Sequence, residues 1–346
     1  MVKLKVEGFW SSTFLFIRTF AVFHLSLNVL NTEIINNFTR QNIVVIGDLV
    51  ADQFLHGTIS RVSREAPVFI LRHNQTETLA GGAANCAVNV ASLGGKVSII
   101  GIIGQDETGD KLLETLNKNN VNSEFIVQSS TLKTTTKVRV LAGQHYAARQ
   151  QIVRIDYEND TKIDAETYAR LKQNVISAIE NADAIIFSDY NYGVVTGALF
   201  NLAKSKNIPI LVDSRFCLQN FHGATSATPN QDEVEQILGE KFTEEDCVRL
   251  LENLNFESLL ITRGNKGMLL IEKNKSPLAI DSIGSKEPVD VTGAGDTVIA
   301  TYALGLASGL NFADAANLAN HAGGIVVMKK GTASVTPQEL LNSINR

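Results

Sequence analysis

The run Asp290-Val-Thr-Gly-Ala-Gly-Asp296 stands directly before an apolar stretch at 297–306. A Gly-Ala-Gly turn at a helix N-terminus leaves backbone N–H groups unpaired and aimed at one spot, where the helix dipole favours an anion. Phosphate is the natural guest of Gly293, Ala294 and Gly295. Asp296, in the first turn, then lies within reach of whatever attacks that phosphate, and a carboxylate beside an anion hole suits a base that takes a proton from a hydroxyl. The competing reading is a glycine-rich helix start whose acidic residue serves the cap. GxxxxGK[ST] occurs nowhere in the chain, which excludes a Walker P-loop.

Three further clusters are weaker when taken singly. Ala80-Gly-Gly-Ala-Ala-Asn85 leads into a helix with Asn85 and Asn89 one turn apart. Gly81 and Gly82 permit close backbone approach to a ligand, and an Asn amide both donates to and accepts from sugar hydroxyls. A tight strand-to-helix turn would need the same residues. In Thr228-Pro-Asn230-Gln-Asp-Glu233, an amide oxygen and a carboxylate share one face of a helix start, as a hydrated Mg²⁺ on nucleotide phosphates requires. An ordinary helix start explains Asn230 and Glu233 equally well. Gly47-Asp48 and Asp52 close the first strand, where open α/β sheets place their ligands.

The elements that must position these clusters alternate. NIVVIGD from Asn42, VSIIGIIG from Val97, ADAIIFSDY, IPILVDS and SLLITRG are apolar runs of buried parallel strands, and MLLIEK is a further strand. Helices are expected after Gly82, over DKLLETLNKN and YARLKQNVISAIE, near 231–238 and 244–254, and at 294–308 and 312–329. This rhythm predicts an α/β doubly wound, mostly parallel sheet flanked by helices. Segments near 53–72, with a strand expected at 67–72, and near 134–157 fall outside the rhythm and are expected to form a small β-lid. With no repeat and no linker, one domain at 41–346 is expected.

Composition excludes other classes. The 31 Lys+Arg against 36 Asp+Glu give a net charge of −5, and Lys329-Lys330 is the only hint of a basic run, so no nucleic-acid footprint is expected. With 44% hydrophobic and 19% charged residues the chain is globular. Cys86, Cys217 and Cys247 are odd in number and widely spaced, which argues against a disulfide framework and fits a cytoplasmic protein. Residues 1–40 read as an N-terminal extension. Its apolar run at 9–30 carries Arg18 near the middle, which argues against a membrane span, and it lacks a small-residue cleavage site.

Taken together, the GGAAN turn, the NxxE element and the DVTGAGD loop resemble, in order and spacing, the ribokinase-like (PfkB) carbohydrate kinases over residues 42–337. Within them the chain is most similar to the heptose 7-phosphate kinases, the kinase half of a bifunctional heptose kinase/adenylyltransferase of lipopolysaccharide biosynthesis. The matches include GD-x-x-x-D at 47–52, SRVSREAPV at 60–68, TKVRVL at 136–141, QQIVRIDYE at 150–158, SDY at 188–190, TRGxxGM at 262–268 and GTASVTPxEL at 331–340. The resemblance implies a ribokinase-like fold with a β-lid. It also implies transfer of the ATP γ-phosphate to a sugar hydroxyl, most closely the anomeric O1 of D-glycero-D-manno-heptose 7-phosphate. Ribose, fructose phosphate and adenosine are the substrates of the competing readings within the family.

By the same resemblance, Asp296 is the catalytic base and Gly293, Ala294 and Gly295 form the anion hole. Asn230 and Glu233 hold Mg²⁺, partly through water, and bind nucleotide. Asp52, Gly81, Gly82, Asn85, Lys137 and Arg139 bind the sugar. Thr262, Arg263, Gly264 and Gly267 line the nucleotide channel, with Asn320 near the adenine. A monovalent cation, K⁺, would sit among Asp290, Thr292 and Ser334. A homodimer through the lid is implied. So is a separate adenylyltransferase, since the sequence contains no HxGH.

Two departures concern the substrate. Where heptose kinases read SDYxKG and DPKG, this chain has Tyr192 and Asp213-Ser-Arg215. A 7-phosphate needs cations, for which Lys137, Arg139, Arg149 and Arg154 are candidates, with strand-surface solubility as their competing role. An extra stretch at 143–149 interrupts the lid strands.

Overall fold

The structure, a computed structural model, describes residues 32–143, 150–159, 161–285 and 287–345. The apolar run at 9–30, most of the 143–149 stretch and Arg149 lie outside the described residues.

Eight strands make the main sheet: β1 (Asn42–Gly47), β4 (Lys96–Ile100), β9 (Ala184–Asp189), β10 (Ile210–Ser214), β11 (Ser226–Ala227), β12 (Ser258–Thr262), β13 (Met268–Glu272) and β14 (Leu278–Ile280). Their order is β14-β13-β12-β11-β10-β9-β1-β4, parallel from β4 to β12, with β13 and β14 antiparallel at one edge. The doubly wound, mostly parallel sheet predicted from the strand–helix rhythm is therefore present. The antiparallel edge arises because β12 and β13 are joined by a short Gly264–Lys266 turn, too short for a parallel crossover.

Alternation along β1 feeds two cores. Ile43 and Val45 point into the layer packed by the Ala83–Ser92, Ala294–Ala307 and Phe312–Val326 helices. Val44 and Ile46 point into the layer packed by the Ala165–Ala178, Gly197–Ala203 and Glu244–Leu254 helices. Covering both faces is what makes the central strands continuous apolar runs rather than alternating ones.

The segments outside the rhythm form a second sheet in the order β3-β2-β7-β8, from β2 (Leu49–Val62), β3 (Phe69–Gly82), β7 (Thr136–Gly143) and β8 (Gln150–Tyr157). β2 and β3 are 14 residues each, so the strand expected at 67–72 runs on to Gly82. The reason lies in the polar residues 72–78, which read as loop but sit on a ladder whose outer half is solvated. The single strand expected over VSIIGIIG breaks at Gly101 into β4 and a short β5 (Ile102–Gly104), which leaves the main sheet to pair in parallel with β6 (Val127–Ser129), a strand with no sequence signal of its own.

Candidate active site

The C-terminal ends of β1, β9, β10, β11 and β12 open toward one side, and β1 lies between β4 and β9, so that the chain after β1 goes first to one side of it and then to the other. Such a switch in strand order leaves a crevice above the sheet. Asp48, Asp189, Asp213, Thr228, Asn230 and Thr262 all stand at or just past these strand ends.

The Ala294–Ala307 helix supplies the centre. From Asp296 to Gly305 every residue is buried, so the helix runs through the core and its N-terminus cannot be shifted without unpacking it. Gly293, at its N-cap, has φ +76°, and a Cβ there would press on the Asn85 amide. Only glycine holds that turn and leaves room for Asn85.

Asp296 is 5% exposed and both of its oxygens have donors. Asn85 Nδ2 donates to Oδ2 at 2.7 Å and the Tyr190 hydroxyl donates to Oδ1 at 3.2 Å. Asn89 Nδ2 in turn donates to the Asn85 carbonyl at 3.0 Å, and Asn89 Oδ1 accepts from Thr297 Oγ1 at 2.7 Å. Burial pushes the Asp296 carboxyl up to about 6, against the downward pull of the Asn85 and Tyr190 hydrogen bonds. A carboxylate so placed is still ionised near neutral pH and is a stronger base than an exposed one.

Tyr190 is held by its neighbours. The Asp48 carboxylate, itself raised to about 6 by burial, accepts from the backbone N–H groups of Tyr190, Tyr192 and Val194 at 2.8, 3.1 and 3.1 Å. The Arg215 guanidinium lies 5.0 Å from the Tyr190 ring centroid, and Lys137 Nζ lies 5.7 Å from the centroids of Tyr190 and Tyr192.

Two cavities meet at this centre. One, of about 210 Å³, is lined by Asp189, Tyr190, Asp213, Arg215, Thr228, Asn230, Glu233, Thr262, Val291, Gly293, Gly295 and Asp296. The other, of about 190 Å³, is lined by Thr262, Gly264, Gly267, Met268, Ile283, Ala294, Gly295, Val298, Asn320, Gly324 and Val327, among others. They share Thr262, Val291 and Gly295. A polar chamber with the carboxylates thus adjoins a more apolar slot of the kind that takes a flat ring.

The sequence-derived residues are distributed as follows. Asp296, Gly293, Gly295, Asn230 and Glu233 line the polar chamber, and Thr262, Gly264, Gly267 and Asn320 line the slot together with Ala294. Asn320 Nδ2 donates to the Asp281 carbonyl at 2.7 Å. Arg263, expected in the nucleotide channel, lines neither cavity: its Nη2 donates to the Met268 carbonyl and holds the β12–β13 turn together. Ser334, expected around a monovalent cation, has its oxygens engaged elsewhere. Its carbonyl accepts from Lys329 Nζ at 2.7 Å and its hydroxyl meets Ser92 Oγ at 2.9 Å. Asp290 accepts from the Thr292 and Gly331 amides, which ties the loop before the helix to the one after Phe312–Val326.

On the sugar side, Asp52 is 4% exposed and ion-paired with Arg139, whose guanidinium also lies over Phe54. Gly81 and Gly82 end β3 opposite Val50 and Leu49, and a Cβ on Gly81 would collide with the Asp52 carboxylate. Arg154 pairs with Asp156, an exposed contact. Lys137 is 9% exposed and, among the described residues, has no hydrogen bond or ion pair. Burial, followed by Arg215, lowers its pKa.

Asn230 and Glu233 form a reciprocal capping box: Glu233 Oε2 accepts from the Asn230 N–H, and Asn230 Oδ1 accepts from the Glu233 N–H. The Asn230 oxygen expected on Mg²⁺ is therefore engaged in the cap, and the second Glu233 oxygen is the better donor. Among the described residues no group of three or more His, Cys, Asp or Glu forms a ready metal cage. The chamber nevertheless suits a hydrated divalent ion. Burial and mutual repulsion push the Asp213 carboxyl up and burial raises Glu233, and the buried Thr228 hydroxyl on the same wall has no partner. Hard oxygen donors with surplus negative charge and room for water are the Mg²⁺ pattern.

The motifs flagged most of this constellation but left Tyr190 without a role. Its signal was the SDY match, which names the residue and not its contact with Asp296. Asp48 and Asp213 were likewise invisible as partners, because the chamber joins strand ends far apart in sequence.

The sequence profile of the pfkB family carbohydrate kinases matches residues 40–339. The chain is 39% identical over 315 residues to the bifunctional protein HldE of Pasteurella multocida, covering 89% of this chain and 64% of that protein. It is 40% identical over 323 residues to HldE of Coxiella burnetii, covering 90% and 65%. The chain thus spans less than two thirds of the length of these relatives. Ribokinase of Arabidopsis thaliana, complexed with ribose and ATP, superposes with a TM-score of 0.67 at 19% identity, covering 88% of this chain and 98% of that one. Escherichia coli phosphofructokinase-2, in complex with substrates and products, superposes at 0.69 with 18% identity, covering 88% and 98%. These likenesses establish the ribokinase-like fold. Among the described residues no helix is long and apolar enough to cross a membrane.

Proposed function

The chain belongs to the pfkB family of carbohydrate kinases, and from that premise we propose that it transfers the γ-phosphate of ATP to the anomeric O1 of D-glycero-D-manno-heptose 7-phosphate, giving the 1,7-bisphosphate. The observation that carries the reading is Asp296, buried at a glycine-turn helix N-terminus with both oxygens held by Asn85 and Tyr190.

In the reaction the sugar hydroxyl displaces a donor from Asp296 and gives it its proton, while its oxygen attacks the γ-phosphorus. The Gly293 and Gly295 amides receive the oxygens of the transferring group, the Ala294 N–H being engaged by the Val291 carbonyl at 3.2 Å, and the helix dipole supports the charge that builds there. The apolar slot with Asn320 takes the adenine, and Asp52, with Asn85 and the Gly81-Gly82 backbone, binds sugar hydroxyls. Glu233, through water, and the Thr228 hydroxyl would hold Mg²⁺, which would supply charge neutralisation on the phosphates. Asp290 and Thr292 are the residues left for a monovalent cation.

Shared TKVRVL, QQIVRIDYE and GTASVTPxEL segments support a heptose phosphate over ribose or adenosine. We further propose a cytoplasmic enzyme that dimerises through the β2-β3-β7-β8 sheet and hands its product to an adenylyltransferase. ATP consumption with Mg²⁺ against heptose 7-phosphate, ribose, fructose 6-phosphate, fructose 1-phosphate and adenosine tests the reading. A preference for heptose 7-phosphate supports it, and a preference for an unphosphorylated acceptor overturns the substrate.

A further inference from the structure

Arg215 is the one cation among the residues lining the polar chamber, which also presents Asp189, Asp213, Glu233 and Asp296. Its backbone N–H is anchored on the Asp189 carbonyl at 3.2 Å, just past the end of β10. Among the described residues its guanidinium makes no hydrogen bond or ion pair despite that acidic wall. Instead it lies 5.0 Å from the Tyr190 ring centroid, the same ring whose hydroxyl donates to Asp296. One tyrosine therefore fixes the base at its hydroxyl and an uncommitted guanidinium on its face.

A triphosphate brings about four negative charges into a chamber whose walls are already acidic, and phosphoryl transfer depends on neutralising that charge as it moves. The anion-hole amides lie on one side of the chamber. Arginine, with its fork of N–H donors, is suited to phosphate oxygens, and stacking on an aromatic ring orients it without using those donors. We infer that Arg215 is a catalytic residue that contacts the transferring phosphoryl group, and that Tyr190 positions both Arg215 and Asp296. The inference rests on the kinase reading above and deepens it.

The step balances without further reagents. The acceptor oxygen forms its bond to the γ-phosphorus while the bond to the β–γ bridging oxygen breaks. The electron pair leaves on ADP, the acceptor proton passes to Asp296, and Arg215 stays protonated throughout.

The test uses the full chain with Arg215→Gln, Arg215→Lys and Tyr190→Phe. The exposed Arg215 side chain has no hydrogen bond to lose, so folding should be unaffected, with MgADP affinity as the check. For Arg215→Gln, kcat at saturating sugar should fall on the order of 10²–10³-fold, with the sugar KM within about threefold of the parent. Arg215→Lys should recover part of kcat. Tyr190→Phe keeps the ring and should lose less kcat, but should move the acid limb of the pH profile upward, because a hydrogen bond favouring ionised Asp296 is gone. A second readout is calorimetric binding of MgADP with and without aluminium fluoride, a mimic of the transferring group. Arg215→Gln should lose the tightening that fluoride gives the parent, while MgADP alone binds as before.

An unchanged kcat with a raised KM only for phosphorylated sugars would assign Arg215 to the substrate's own phosphate and overturn the inference. Full retention of the fluoride increment would overturn it too. If the parent chain phosphorylates no sugar, the kinase reading fails instead, and the two failures are distinct.

Discussion

Asn85 and Asp296, 211 residues apart in the chain, are joined by a 2.7 Å hydrogen bond from the Asn85 amide to Oδ2 of the buried carboxylate. The helix Ala83–Ser92 thereby orients the carboxylate carried by the helix Ala294–Ala307, and the GGAAN and GAGD motifs meet at one point.

Asp296→Asn should abolish turnover while leaving MgATP affinity within a few-fold, since the amide keeps the shape and removes the proton acceptor. It should also stabilise the fold. A carboxyl displaced from 3.8 to about 6 by burial carries a penalty of about 3 kcal/mol once ionised. Because the folded pKa is the higher one, that penalty is absent below about pH 4, grows between about 4 and 6, and is constant above. Urea melts should show the variant more stable at pH 8 and equal to the parent near pH 4. Equal stability at pH 8 would show that the carboxylate is not held in the buried environment described.

The rate should follow the ionisation of the same group. kcat/KM is expected to fall tenfold per pH unit below about 6, as Asp296 takes a proton, and to be flat above until another group titrates. Asn85→Leu removes a hydrogen bond that favours the carboxylate, so its limb should move to higher pH. A limb left in place would mean that Asn85 does not touch the ionising group.

Much of this was legible in the sequence. Apolar runs, bounded by glycine at β1 and β4, marked β1, β4, β9 and β10, because central parallel strands must be apolar on both faces. The β3 ladder through residues 72–78 was not, because a solvated strand of polar residues carries no periodic signal. The GAGD turn was legible as a glycine-capped helix start, which the Gly293 N-cap at φ +76° bears out. The helix-start reading of Asn230 and Glu233 was open in the sequence and the capping box realises it, whereas the contacts of Arg263 with the Met268 carbonyl and of Ser334 with Lys329 and Ser92 could not be read, since each depends on which neighbour satisfies the group. Tyr190 and Arg215 acquire meaning only when β9 and β10 are placed side by side.

In the second sheet, Asp52 and Arg139 form an ion pair whose side chains are 6% and 14% exposed. Removing one partner strands a buried charge, so Arg139→Met should cost about 3 kcal/mol and raise the sugar KM. Adding Asp52→Asn to that variant should restore much of the stability but not the KM. Additive losses in a double-mutant cycle would contradict the coupling.

Glu233→Gln preserves the helix cap, because Gln serves at that position as well as Glu. The Mg²⁺ concentration for half-maximal rate should nonetheless rise about tenfold with the fold intact. An unchanged Mg²⁺ titration would remove Glu233 from the metal site.

The most direct test of the central claim is phosphorus NMR of the parent chain and Asp296→Asn, each incubated with MgATP and heptose 7-phosphate. The parent should give a new phosphate resonance coupled to the anomeric proton, in step with ADP, and the variant none. A new resonance from the variant, or a phosphate on another hydroxyl or none at all from the parent, would contradict it.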